Sequence, residues 1–145
     1  MNIRIARTED VMQIHEINRT SLGYDIPIEF AKERIDYILK KDSYRIYVAC
    51  IDEKVVGYIH GGDYDCTYSE PLKNILALAV DEQYQGCGIG KQLLLAIEQW
   101  AKEEGSIGVR LVSGFNRVDA HQFYLHCGYN LRKEQKNFIK YFNIE

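Results

Sequence analysis

The sequence predicts an α/β (α+β) chain, a mixed sheet flanked by helices, with residues 1–145 forming a single domain. Three observations carry this prediction. First, the hydrophobic period changes along the chain, from helical spacing over 9–41 to β-rich alternation over 44–60. Second, the apolar run ILALAV, from Ile75 to Val80, suits a strand buried on both faces. Third, that run passes through the glycine-rich stretch QGCGIG into an apolar-periodic segment, a strand–loop–helix unit typical of sheets covered by helices.

The elements follow in order. Residues 2–6 read as a short strand. Thr8 can cap a helix over 9–19, with Glu9 and Asp10 at its positive end and Val11, Ile14 and Ile17 on one face. After the linker TSLGYDIP, Pro27 can open a second helix over 28–41, with Ala31, Ile35, Ile38 and Leu39 inward. Residues 44–51 and 55–60 read as a hairpin turned by Asp52-Glu53-Lys54. A looser stretch over 61–73 leads to the strand at 75–80. The glycine loop opens a third helix over 89–104, whose stripe is Leu93, Leu94, Ile97, Trp100 and Ala101, and Gly105 ends it. Residues 109–113 read as a strand, 118–126 as a fourth helix, and 129–132 and 137–142 as two closing strands. The order β α α β β β α β α β β has seven strands and four helices.

Composition excludes several classes. A chain of 145 residues with 46% hydrophobic and 27% charged residues can bury a real core and is not expected to be disordered. A net charge of -3 argues against nucleic acid as a partner and suits a cationic substrate. No apolar run approaches the ~20 residues that span a bilayer, and MNIRIARTED lacks the apolar core of a signal peptide. Cys50, Cys66, Cys87 and Cys127 form no C-x-x-C pair, so reduced thiols in a cytoplasmic protein are expected. His121, His126 and Cys127 share one short helix without a second ligand cluster, so no metal is expected.

Three glycines, Gly86, Gly88 and Gly90, stand at the entrance of the third helix. Free N–H groups and the helix dipole favour an anion there, and glycine lets it approach the backbone. Two phosphate templates fail. A P-loop needs a glycine where Gln85 stands and a Ser or Thr where Gln92 stands. A dinucleotide fingerprint needs G-x-G-x-x-G, whereas the spacing here is G-x-G-x-G.

The stretch from Val80 through Tyr84, Gln85, Gly86, Gly88, Ile89, Gly90, Leu93 and Leu94 resembles the central motif of the GNAT family, the Gcn5-related N-acetyltransferases, V-x-x-x-[YF]-[QR]-G-x-G-[IVL]-G-x-x-L-L. Ala120, Phe123, Tyr124, Gly128 and Tyr129 are similar to the family's second signature, and the element order matches along essentially the whole chain. The resemblance implies a mostly antiparallel seven-stranded sheet with splayed central strands and four helices. It implies acetyl-CoA as co-substrate and acetyl transfer to a primary amine by direct attack on the thioester. The alternative is a non-catalytic acyl-CoA-binding or regulatory module.

The resemblance also assigns roles. Gln85, Gly86, Cys87, Gly88, Ile89, Gly90 and Lys91 would wrap the pyrophosphate, the main chain of Leu78, Ala79 and Val80 would meet the pantetheine arm, and Asn116 would bond it. Tyr124 would lie at the cofactor and act as general acid toward the leaving thiolate. The strands NILALAV and VRLVSG lack the carboxylate many members use as general base. The base is therefore unassigned, with Glu70, Asp63, Asp65 and His60 as candidates and a water chain or no base as alternatives. Tyr24, Asp25, Asp63 and Glu70, on loops that flank the acetyl group in this fold, are the candidate acceptor-binding residues. The acceptor is a small-molecule or peptide amine, and a homodimer remains open.

Overall fold

The computed structural model describes residues 1–143, so the end of the expected 1–145 domain lies outside the described residues. It divides into two compact units, Met1–Leu111 and Val112–Glu145.

The first unit holds one sheet of five strands in the order β1-β2-β3-β4-β5, where β1 is Asn2–Ile5, β2 Tyr44–Ile51, β3 Lys54–Tyr64, β4 Leu72–Val80 and β5 Val109–Leu111. Neighbours from β1 to β4 are antiparallel, and β4 and β5 are parallel. A parallel pair needs a crossover, and α3, Ile89–Glu103, supplies it. Two further helices, α1 at Val11–Ile17 and α2 at Ile28–Leu39, pack with β2 and β3 on the other face. Val11, Ile14, Ile17 and Ile35 meet Ile46, Val48, Val55 and Tyr58 there. On the α3 face, Leu93, Leu94, Ile97 and Trp100 are fully buried. Gly61 lets that helix approach, since a Cβ would sit 2.7 Å from the Ile97 Cδ1.

The expected elements of this unit are present, with shifted ends. The first helix starts as a 3-10 turn, Thr8–Asp10, and continues beyond Ile17 as a π-helical turn, Asn18–Leu22. Thr8 does not cap it. Instead the buried Asp10 carboxylate accepts the Arg7 N–H at 2.8 Å and pairs with the Arg4 guanidinium at 2.7 Å. The hairpin turn is tighter than expected. Asp52 and Glu53 take positive φ values of 50° and 67°, the two-residue geometry whose twist matches the strands.

The second unit contains α4, Val118–His126, with the boundaries expected. The two closing strands are absent among the described residues, so the sheet has five strands rather than seven. The stretches 129–132 and 137–142 have β-rich composition but no ladder partner, and composition alone does not make a strand.

Candidate functional site

The glycine loop has the backbone of an anion cradle. Gly86 and Gly88 both have φ of 80°, and Gly88 is the left-handed N-cap of α3. No side chain crowds either glycine, so the requirement is conformational rather than steric. The first helical bond runs from the Gln92 N–H to the Gly88 carbonyl. The N–H groups of Gly86, Cys87, Gly88, Ile89, Gly90 and Lys91 therefore have no acceptor among the described residues. Consecutive free amides at a helix N-terminus fit a pyrophosphate. The Lys91 side chain and the Cys87 thiol are exposed beside them. Gln85 turns back, and its Nε2 donates to the Val80 carbonyl at 3.2 Å.

Next to the cradle, β4 and β5 part. Their pairing covers only Lys73↔Val109, Asn74↔Arg110 and Ile75↔Leu111. A bulge sits at this point. His60 faces Ala77 while Gly61 faces Ile75, which leaves Leu76 as the extra residue. Beyond it, the Asp81 N–H donates to the Val56 carbonyl at 2.8 Å. By the two-residue alternation of an antiparallel ladder, Ala79 and Ala77 also face β3. Leu78 and Val80 turn their peptide groups to the edge that β5 has left. Of the three strand residues expected to meet a pantetheine arm, Leu78 and Val80 present main-chain groups to that edge and Ala79 does not. The Val80 carbonyl is further held by the Ser21 hydroxyl at 3.2 Å. Ser21 lies on the π-helical turn, which Asn18 fastens to the sheet through a hydrogen bond from the Tyr58 hydroxyl.

His60 lies beside the bulge on the α1/α2 face, with its ring 5.3 Å from that of Tyr44. Burial pushes its imidazole down to about 4, and its Nε2 has no hydrogen-bond partner among the described residues. It is therefore a neutral imidazole at neutral pH, next to the opened edge of β4.

The acidic candidates are placed differently from one another. Asp63 is bound to Lys73 at 2.5 Å, and Lys73 also binds Glu104 at 2.5 Å and lies 4.2 Å from the Trp100 ring centroid. This puts Asp63 on the α3 face, opposite His60, in an ion-pair cluster with Lys73 and Glu104. Burial alone would lower the Lys73 ammonium, but its hydrogen bonds to both carboxylates outweigh that and raise it. Asp65 and Glu70 are exposed on the β3–β4 connection, and Tyr24 and Asp25 are exposed between α1 and α2.

In the second unit, Tyr124 packs edge-on against Phe123 and Tyr129, at 5.3 and 6.0 Å between ring centroids. Burial raises its phenol above the ordinary value, partly offset by the Arg117 charge, so it is protonated at neutral pH. His121 is anchored to the Gly114 carbonyl at 2.8 Å, and Asn116 is exposed at the entry to α4. Arg110, whose Nε is buried without a hydrogen-bond partner among the described residues, was not among the candidates expected from the sequence. A basic residue inside the expected strand VRLVSG was the available signal.

Comparison with known proteins agrees with this geometry. The model of the acetyltransferase (GNAT) family matches residues 11–129. The chain is 27% identical to streptothricin acetyltransferase of Escherichia coli over 125 residues, covering 83% of this chain and 70% of that protein. It is 29% identical to aminoalkylphosphonate N-acetyltransferase of Salmonella typhimurium over 142 residues, covering 88% and 92%. The structure of AAC(6')-Iy in complex with a CoA-containing bisubstrate analogue superposes with a TM-score of 0.86, covering 97% of each chain. At 16% identity, that likeness shows the fold. The family match extends through both units and takes in the amide cradle, the parted strands and α4, so the chain belongs to the GNAT family of acetyltransferases.

Proposed function

We propose that this acetyl-CoA-dependent N-acetyltransferase acts on small primary amines and that residues 1–145 work as one catalytic domain. The observation that carries the reading is the row of acceptor-free amides from Gly86 to Lys91, placed at the end of a strand whose edge is open at Leu78 and Val80. Streptothricin, aminoalkylphosphonates and aminoglycosides are acceptors named for similar proteins, and all are small amines.

Acetyl-CoA, when bound, supplies the acetyl group as an activated thioester. The amides of the cradle would hold its pyrophosphate, and the Leu78 and Val80 peptide groups would pair with the pantetheine arm as an added strand does. The Leu78 N–H is the donor proposed for the oxygen that gains charge as the amine nitrogen attacks the carbonyl carbon. The amine nitrogen then gives up a proton, the C–S bond breaks, and the sulfur takes a proton. Tyr124, in the role the sequence resemblance implies, is the proposed source of that last proton, and Asn116 keeps its implied contact to the arm. For the proton leaving the amine we favour the His60 Nε2, unpartnered among the described residues and beside the bulge of β4, over the exposed Glu70.

Activity is read as thiol release from acetyl-CoA across a panel of amines. His60→Gln should lower kcat with acetyl-CoA affinity unchanged, and Glu70→Gln should leave kcat within about twofold. If the two variants behave in the opposite way, Glu70 is the base. A cytoplasmic location and a homodimer complete the proposal. The exposed Leu131, Phe138, Ile139, Tyr141 and Phe142 support the dimer as surface that a second copy could cover.

A further inference from the structure

Two buried nitrogens of the first unit lack a hydrogen-bond partner among the described residues, Nε2 of His60 and Nε of Arg110. They share one face of the sheet. Tyr44, Gly62, Asn74 and Arg110 form a row of directly opposed positions across β2, β3, β4 and β5. Opposed positions project to the same side. His60 and Tyr64 stand two residues to either side of Gly62, so they project to that side as well. The contacts agree: the Arg110 guanidinium lies 4.2 Å from the Tyr64 ring centroid, and its Nη1 donates to the Asn74 Oδ1 at 2.6 Å.

Buried polar atoms are paired in almost every folded protein, and an unpaired one calls for a missing partner. Arg110 makes the stronger demand because its guanidinium is a permanent cation. Arg4, Arg19 and Lys73 each hold a carboxylate. Half-buried Arg110 holds the neutral amide of Asn74 and no carboxylate among the described residues. Its place is also informative. It is the middle residue of β5, and the pairing with β4 stops one residue later, at Leu111. His60 faces Ala77, just past the bulge on the same opened stretch of β4. Strand spacing puts the two Cα atoms roughly 12 Å apart, and the Tyr44 ring and the Leu76 side chain lie over Gly62 on the same face. The acidic residues that suggested a cationic acceptor are not paired with Arg110 among the described residues, since Asp63 binds Lys73 and Asp25, Asp65 and Glu70 are exposed loop residues.

We propose that the acceptor is a small primary amine bearing an acidic group, a carboxylate or a phosphonate, whose anion binds Arg110 while its amine lies toward His60. The guanidinium fork matches both anions. This rests on the acetyl-transfer reading, and the test separates the two.

The wild-type protein is assayed with acetyl-CoA and propylamine, β-alanine, aminoethylphosphonate or spermidine. We expect kcat/KM for at least one of the two acids to exceed that for propylamine by about tenfold or more. Spermidine should fall below both acids. The better of the two acids identifies the anion. Arg110→Gln should erase the preference, and Arg110→Lys, which keeps the charge, should restore part of it. Acids no better than propylamine would overturn the proposal, as would a preference that survives Arg110→Gln. If Arg110→Gln does not fold, the wild-type ranking decides alone. If no amine is acetylated, the acids and propylamine are titrated calorimetrically onto CoA-loaded protein. Tighter binding of an acid would then sustain the anion site while the acetylation reading falls, and equal or absent binding would sink the anion site.

Discussion

His60 combines the clearest perturbation with the most suggestive position. Its imidazole is held near 4 against an ordinary 6.5, because burial penalises the charged form. The unfolded chain binds a proton below 6.5 and the folded chain does not until about 4, so folding stability falls as pH drops through that window. The His60 contribution to this loss is roughly 3 kcal/mol. Chemical denaturation at several pH values should show it, and His60→Gln should have a shallower slope over the same range. Tyr124 can be tested by deleting one atom. Tyr124→Phe should lower kcat by about 100-fold or more while acetyl-CoA still binds. At Gly88 the predicted effect is conformational. Its φ of 80° has no steric neighbour, so Gly88→Val should strain the backbone by about 1–2 kcal/mol and weaken acetyl-CoA binding. Calorimetric titration with CoA measures that loss.

At the scale of elements, the site depends on how β4 is held. Its start is fixed to α3 by Lys73, through Asp63, Glu104 and Trp100. Its end is fixed by Ser21 and Gln85 on the Val80 carbonyl. Between these anchors, the bulge at Leu76 and the short β5 leave an edge for a guest strand. If Asp63 is structural, Asp63→Asn should lower thermal stability by about 1 kcal/mol and leave KM for the amine unchanged within about twofold. A large rise in KM with unchanged melting would return Asp63 to the acceptor site. This level also shows what the sequence could and could not reveal. The glycine loop, ILALAV and α4 were legible because local rules dictate them: positive φ, an apolar run of strand length and helical period, although the run is not buried on both faces as expected, since Leu76 is exposed where β5 has left the sheet. The Asp63–Lys73 pairing was not legible, because cross-strand register is set by the whole sheet. The same register brings Arg110 beside Asn74 and Tyr64, and the spacing of those residues along the chain gives no hint of it.

For the molecule as a whole, the order of elements from Asn2 to Leu111 was readable, since each expected strand and helix in that stretch is present. The expected strands over 129–142 failed because a β-rich composition specifies a strand only where another strand pairs with it. That segment carries the largest run of exposed apolar side chains in the second unit. If it mediates a homodimer, sedimentation equilibrium should give twice the 16.9 kDa chain mass, and Phe138→Ser with Ile139→Ser should return the protein to a single chain. Acetyl transfer itself is met most directly by one measurement. Purified protein is incubated with acetyl-CoA and an amine, and free CoA and N-acetyl product are quantified together by mass spectrometry. One CoA should be released per N-acetyl amine formed, only when an amine is present. Saturable acetyl-CoA binding with no N-acetyl product from any amine would contradict it.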